Sequence, residues 1–135
     1  ERLKKILEQK PICFNHNLET VERLQKIVRR GANYTSSINL LEKAKSIDPN
    51  IQTKSGIMLG LGETLEEIET TIFDLRKVDC DQITIGQYLR PSLKHLAVQK
   101  YWEPSEFEYL ARFCKKLGFK KVSSGPLVRS SYHAG

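Results

Sequence analysis

Apolar positions along this chain recur at alternating helical and strand spacings, and polar or glycine-containing breaks separate them. Leu3, Ile6 and Leu7 share one face of a helix predicted over Glu1 to Gln9. The short apolar run Pro11 to Asn15 predicts a buried strand, and Glu19-Thr20 then opens a predicted amphipathic helix bearing Val21, Leu24, Ile27 and Val28. Gly31 is placed to end that helix in the left-handed manner, and Ser36-Ser37 to open another carrying Leu40, Leu41, Ala44 and Ile47 as far as Asp48-Pro49. Ile51 to Leu59 is the next predicted strand, and Gly60-Leu61-Gly62 a turn. Thr64-Leu65-Glu66-Glu67 has the form of a capping box ahead of a helix with Ile68, Ile72, Phe73 and Leu75. A third strand, Gln82 to Ile85, runs into Gly86-Gln87-Tyr88. Arg90 to Glu103 lacks periodicity and reads as a covering loop, Pro104 to Leu117 as a helix with proline in its first turn, and Lys120 to Val122 as a last short strand.

Strands alternating with helices imply parallel pairing and right-handed crossovers, with ligands at the C-terminal strand ends. A closed eight-stranded β/α barrel takes roughly 200 to 250 residues or more. This chain has 135 residues and three clear strand-plus-helix units. The fold expected is therefore α/β, a partial parallel β/α barrel of TIM-like type over residues 1–122, followed by an irregular C-terminal extension over 123–135. Its first residue, Glu1, stands within a helical pattern, so the chain is expected to begin inside a domain, with a sheet edge left for further strands.

Charge adds little to this picture. The net charge is +6, from 22 basic and 16 acidic residues, with basic clusters at Lys26 to Arg30 and Lys115 to Lys121. Solvated helix ends account for such clusters more simply than a polyanion does, and only the first lies near a candidate site. Cys13, Cys80 and Cys114 are widely spaced, without a C-x-x-C pair, and read as small buried side chains in a reducing compartment rather than as a zinc site or disulfide framework. No apolar run reaches membrane-spanning length and no secretory leader is visible.

Candidate chemistry gathers at the strand ends. In Gly56-Ile57-Met58-Leu59-Gly60-Leu61-Gly62-Glu63 the glycines let a ligand approach the backbone, and the helix that follows offers free amide donors. Pattern alone leaves a nucleotide pocket and a tight structural turn equally open, and Glu63 reads as a cap for its helix. Asn15-His16-Asn17-Leu18-Glu19 sets four polar side chains at a strand mouth, which suits a zwitterionic, ribose-bearing ligand. A lone histidine there is more often structural. Lys54 would be costly to bury without a carboxylate, which either a ligand or a protein side chain could supply. Gln87, Tyr88 and Arg90 leave the third strand, Tyr88 with a structural role as open as a binding one. Finally, Arg129-Ser130-Ser131-Tyr132-His133-Ala134 puts five polar or titratable side chains where no packing rule asks for them.

Taken with Gly86-Gln87-Tyr88-Leu89-Arg90-Pro91-Ser92 and Ser124-Gly125-Pro126-Leu127-Val128, these segments resemble the C-terminal part of lipoyl synthases, enzymes of the radical S-adenosylmethionine superfamily. The resemblance runs from about Pro11 to Ala134. It implies that Gly56 to Glu63 corresponds to the family's G-x-I-x-G-x-x-E strand, with Met58 at the isoleucine position and Ile57 and Met58 as apolar wall against adenine. It further implies that Asn17, Glu19, Lys54 and Gln87 contact S-adenosylmethionine, and that Ser131, or less favourably Ser130, gives an oxygen ligand to an auxiliary [4Fe-4S] cluster.

The implied activity is insertion of two sulfur atoms, at C6 and C8 of a protein-bound octanoyl chain, by S-adenosylmethionine-derived radicals, with two [4Fe-4S] clusters in the whole enzyme. The implied partners are an octanoylated lipoyl carrier domain or H-type carrier protein, an electron donor and an iron–sulfur carrier, with no nucleic acid or membrane. Arg29 and Arg30 are candidates to meet an acidic carrier. The implied compartment is the cytoplasm in a bacterium, or the mitochondrion or plastid in a eukaryote. One departure is large: this sequence has no C-x-x-x-C-x-x-C motif, so reductive chemistry is expected of a longer protein. Two other readings stay open, a truncated non-catalytic homologue that binds a nucleotide or carrier domain, and an unrelated phosphate-binding β/α enzyme.

Overall fold

The computed structural model describes residues 2–8, 13–29, 31 and 33–128. Helix α1 (Arg2–Glu8) precedes strand β1 (Cys13–Asn15), then a 3-10 turn (Glu22–Leu24) merges with the one-turn helix α2 (Gln25–Val28). There follow α3 (Tyr34–Ile47), β2 (Gln52–Leu59), α4 (Leu65–Lys77), β3 (Gln82–Gln87), α5 (Pro104–Leu117) and β4 (Lys121–Ser124). The four strands form one parallel sheet in the order β1-β2-β3-β4, unclosed among the described residues, as in part of a β/α barrel.

Side chains alternate across a strand, so register assigns each position to a face. Ile57, Leu59, Ile83 and Ile85 lie on the helix-covered face, each no more than 1 % exposed, in one core with Ile68, Ile72, Leu75, Phe107 and Leu110. The opposite face carries Lys54, Gly56 and Met58 beside Gln82, Thr84 and Gly86, pair by pair. A second small core joins Leu3 and Leu7 of α1 to Ala44 and Ile51.

Several helix signals act as read from the sequence. Thr64 and Glu67 form a reciprocal capping box, Glu67 N to Thr64 Oγ1 at 3.2 Å and Thr64 N to Glu67 Oε1 at 2.9 Å. Helix α5 starts on Pro104 and ends at Gly118 in the left-handed region. Helix α3 differs: it begins at Tyr34, two residues before Ser36, because Asn33 Oδ1 takes the Ser36 amide at 3.0 Å and is the better cap.

The larger departure is at residues 19–28. No amphipathic helix opens at Glu19, and Ile27 is 62 % exposed. Glu19 instead pairs with Ile57, donating its amide to the Gly56 carbonyl at 3.0 Å and accepting from the Met58 amide at 2.9 Å. Sheet pairing takes the backbone groups that a helix start would need.

The opposite end of the sheet is pinned by Asp81, whose carboxylate accepts from the Thr53 amide at 2.8 Å and pairs with Lys45 at 2.7 Å and Lys120 at 3.5 Å. Burial alone would raise this carboxyl, but these partners hold it below its ordinary range. This clamp joins β2, α3 and the start of β4, leaving the other strand ends for a site.

Candidate functional site

At the C-terminal end of β1 the chain makes a bulge. The Leu18 and Glu19 amides both donate to the Gly56 carbonyl, at 3.1 and 3.0 Å, and Glu19 takes φ of 71°. A side chain other than glycine or asparagine rarely adopts that conformation without support from its surroundings. Support comes from Gln25, whose Nε2 donates to the Leu18 and Thr20 carbonyls at 2.8 and 2.7 Å, and from Arg29, whose Nη1 donates to the Asn17 and Leu18 carbonyls at 3.0 and 3.3 Å. Thus α2 serves mainly to hold the strand mouth in shape.

Asn17 and Glu19 are brought together here. Burial raises the Glu19 carboxyl, while Arg29 and a hydrogen bond from the Asn17 side chain work against that rise. Asn17 Oδ1 is buried and has no hydrogen-bond partner among the described residues. An orphaned buried acceptor is costly, by about 1 to 3 kcal/mol, unless a ligand donor meets it. His16 belongs to a different environment: Nε2 contacts Ser37 Oγ of α3 at 3.1 Å, and burial, then Arg29, lower its pKa. It is a structural histidine.

By strand alternation Asn15 and Asn17 share the sheet face opposite the helices with Lys54 and Met58. Lys54 is half-buried and has no ion pair among the described residues. Met58 is 6 % exposed and lies beside Gly86 in the register. Ile57 is on the other face, 1 % exposed within the core, so its side chain points away from Asn17, Lys54 and Met58.

Gln87 is committed elsewhere. Its Nε2 donates to the carbonyls of Tyr88 and Lys100 at 3.0 and 2.9 Å, and its Oε1 accepts from the Trp102 amide at 2.9 Å. Glu63 acts in the same region rather than as a cap for α4. Its carboxylate, 7 % exposed as a residue, accepts from the Gly60 amide at 2.8 Å, the Leu61 amide at 3.0 Å and the Trp102 indole at 2.9 Å. Gly60 has φ of 113°, and a Cβ there would stand 2.3 Å from Gln87 Nε2 and 2.6 Å from the Lys100 carbonyl. Glycine is therefore required both for the turn and for the close passage of the 88–102 loop, which Tyr88 also ties through its amide to Leu59 O at 2.7 Å and its hydroxyl to Leu96 O at 2.7 Å. Sequence reasoning missed this brace; a buried-type glutamate between a glycine pair and a lone tryptophan was the available signal.

A second close passage is at Gly86. The segment after β4 turns back across the face opposite the helices, with the Gly125 amide on Ile85 O at 3.0 Å and the Val128 amide on Gly125 O at 3.2 Å. A Cβ on Gly86 would come within 2.1 Å of the Val128 carbonyl oxygen. The chain is thus led over the strand ends immediately before Arg129. Ser131 and Ser130 lie outside the described residues, as does Arg30.

Among the described residues no group of three or more His, Cys, Asp or Glu side chains is placed to hold a metal ion. Burial pushes the Cys80 and Cys114 thiols up to about 12, against the thiolate form that iron requires, and Cys13 is also raised by burial. An iron–sulfur cluster therefore does not fit these cysteines. No helix among the described residues is long and apolar enough to cross a membrane.

Comparison with known proteins agrees with this architecture. The Radical SAM superfamily matches residues 1–75. The chain is 86 % identical over 135 residues to lipoyl synthase 2 of Prochlorococcus marinus subsp. pastoris (strain CCMP1986 / NIES-2087 / MED4), covering 100 % of this chain and 45 % of that protein. It is 56 % identical over 135 residues to lipoyl synthase 2 of Nostoc sp. (strain PCC 7120 / SAG 25.82 / UTEX 2576), again with 100 % and 45 % covered. With the lipoyl synthase of Caldanaerobacter subterraneus subsp. tengcongensis the identity is 57 % over 134 residues, covering 99 % of this chain and 47 % of the relative. The chain thus spans about 45 % of the length of the curated relatives it matches. These matches displace the reading as an unrelated phosphate-binding enzyme. A half-barrel of parallel β/α units with its polar strand mouth at the C-terminal ends, matched over residues 1–75, belongs to the radical S-adenosylmethionine superfamily, and this chain is similar to lipoyl synthases along its whole length.

Proposed function

We propose that this chain forms the C-terminal portion of a lipoyl synthase, in which the strand mouth on the sheet face opposite the helices receives S-adenosylmethionine and the acyl substrate. The observation that carries the reading is the bulge at β1, which pairs the Glu19 backbone with Gly56 and Met58 and brings the Glu19 carboxylate to the Asn17 side chain, whose Oδ1 is unpartnered among the described residues. Asn17 would accept from a ligand ammonium or ribose hydroxyl, and Glu19 would receive the other. Lys54 offers a cation to the ligand carboxylate. Met58, beside Gly56 on the same strand, gives adenine an apolar wall. Gln87 acts at one remove, through the loop it holds.

In the whole protein the proposed reaction is insertion of sulfur at C6 and C8 of an octanoyl chain on a carrier domain. S-adenosylmethionine, when bound, supplies the hydrogen-abstracting chemistry, and the residues described above bind it and orient it. The [4Fe-4S] clusters need cysteines that this sequence lacks, and no step is assigned through them. Ser131 is proposed as an oxygen ligand to the auxiliary cluster, supported by the tail motif and by the path of Gly125 to Val128 across the strand ends. The proposed setting is a bacterial cytoplasm, in keeping with the bacterial relatives.

Calorimetric titration of the complete protein with S-adenosylmethionine tests this assignment. Asn17→Ala and Glu19→Gln should each weaken binding by about tenfold or more, roughly 1.4 kcal/mol. Unchanged affinity in both overturns it. S-adenosylmethionine binding that persists in a native product containing no iron would favour a non-catalytic binding module instead.

A further inference from the structure

The segment from Leu89 to Tyr101, leaving the C-terminal end of β3, contains Arg90, Lys94, His95 and Lys100 and no acidic residue. Residues 90–97 are all exposed, and Leu93 is 87 % exposed. Such exposure is ordinary in a loop without internal order, but this one is closely tied. Arg90 donates through Nε to the His95 carbonyl and through Nη2 to the Leu93 carbonyl, both at 2.9 Å. Ser92 Oγ bonds His95 Nδ1 at 2.8 Å and accepts the Lys94 amide at 3.2 Å, while the His95 amide donates to the Ser92 carbonyl at 3.1 Å. The base of the loop is anchored by Tyr88, Gln87 and the Gln99 amide, which donates to Gly60 O at 2.7 Å.

The result is a rigid turn holding a leucine out into water, beside a Lys94 that has no ion pair among the described residues. A turn whose hydrogen bonds keep an apolar side chain exposed is preorganised for contact, because little conformational freedom remains to be lost on binding. The cations that flank it select an acidic surface and exclude basic ones. Arg29, the other candidate for meeting an acidic partner, is half-buried at the strand mouth, whereas Arg90 and Lys94 are exposed.

We propose that the 90–95 turn is the docking point for the carrier domain that presents the acyl chain, with Leu93 seated in an apolar recess of that domain and Arg90 and Lys94 facing its carboxylates. The proposal rests on the lipoyl synthase reading above, and the turn stands at the same C-terminal strand ends as the site that would receive the acyl arm.

The test uses the complete protein and an octanoylated H-type carrier protein as probe. Leu93→Ser and Lys94→Glu are made separately, and carrier affinity, S-adenosylmethionine affinity, melting temperature and turnover of a short octanoyl-lysine peptide are measured for each. Each variant should weaken carrier binding at least tenfold and raise KM for the carrier, with peptide turnover, S-adenosylmethionine affinity and melting temperature unchanged. Lys94→Glu should also reduce the salt dependence of carrier binding. Unchanged carrier affinity in both variants overturns the proposal. So does a fall in melting temperature that accompanies lost affinity, which would mean that the turn packs against another part of the protein, or a change in oligomeric state without a change in carrier affinity, which would mark a self-association surface. If wild-type protein fails to turn over the peptide, the lipoyl synthase reading fails, whereas docking alone fails if peptide turnover is intact and the variants bind the carrier normally.

Discussion

Removing the Glu63 carboxylate is expected to loosen the glycine turn and the loop above it together. Three buried donors, the Gly60 and Leu61 amides and the Trp102 indole, converge on this one side chain at 2.8, 3.0 and 2.9 Å. Each donor left buried without an acceptor costs about 1 to 3 kcal/mol. The three are neighbours and water can reach some of the space vacated, so the sum is less than additive. Glu63→Ala should therefore lower unfolding free energy by about 3 to 4 kcal/mol, a large share of the roughly 5 to 15 kcal/mol typical of a folded domain. Glu63→Gln is the sharper probe. Its amide oxygen can take the place of Oε2 and keep Gly60 and Trp102, but its NH2 then faces the Leu61 amide, for a cost of about 1 to 3 kcal/mol. Urea unfolding followed by fluorescence of Trp102, the single tryptophan of the chain, gives the global effect. Hydrogen exchange at Gly60 and Leu61 gives the local one, and both amides should lose protection in each variant. A shift below about 0.5 kcal/mol for Glu63→Ala, with exchange unaltered, would refute the brace.

Two further outcomes follow from the same structure. Gly86→Ala would place a Cβ 2.1 Å from the Val128 carbonyl oxygen, a backbone atom that cannot rotate away. The 125–128 segment must move, at a cost of about 1 to 3 kcal/mol, and a lowered melting temperature with faster proteolysis near Val128 is expected, while an unchanged cleavage pattern would count against the crossing. On pH, Arg23 holds the Glu67 carboxyl down at about 2, against an ordinary value of 4.5, through contacts of 2.7 and 2.9 Å. A depressed carboxyl stabilises the fold fully above its unfolded value and loses that contribution as pH falls, so stability should decline between pH 4.5 and 2. Arg23→Gln should flatten that decline in thermal scans, and the pair's exposure keeps the effect small and salt-sensitive.

Much of the architecture was readable because it depends on local rules. The capping box at Thr64 to Glu67, the proline start of α5, and the apolar period of β2 and β3 each involve neighbours in sequence, and each folds as the pattern predicts. The parallel sheet follows from the alternation of strands and helices. Residues 19–28 misled because Val21, Leu24 and Val28 have helical spacing, yet Glu19 is drawn into the sheet by Gly56 and Met58, some forty positions away. Tertiary pairing outweighs a weak local preference over so short a stretch.

The candidate site divides in the same way. Its chemistry was visible in the sequence: the polar strand mouth at Asn15 to Glu19, the glycine strand, and the absence of a cluster-binding cysteine motif. Only the tertiary structure decided what each group does there. It separates Ile57 from Met58 by the pleat of one strand, commits Gln87 and Glu63 to holding the 88–102 loop, and leaves Asn17 Oδ1 without a partner among the described residues. Residue types and spacings limit the possible chemistry, because side-chain donors, acceptors and charges are intrinsic. Which of them remain free for a ligand depends on hydrogen bonds between residues distant in sequence, and those exist only once the sheet has assembled.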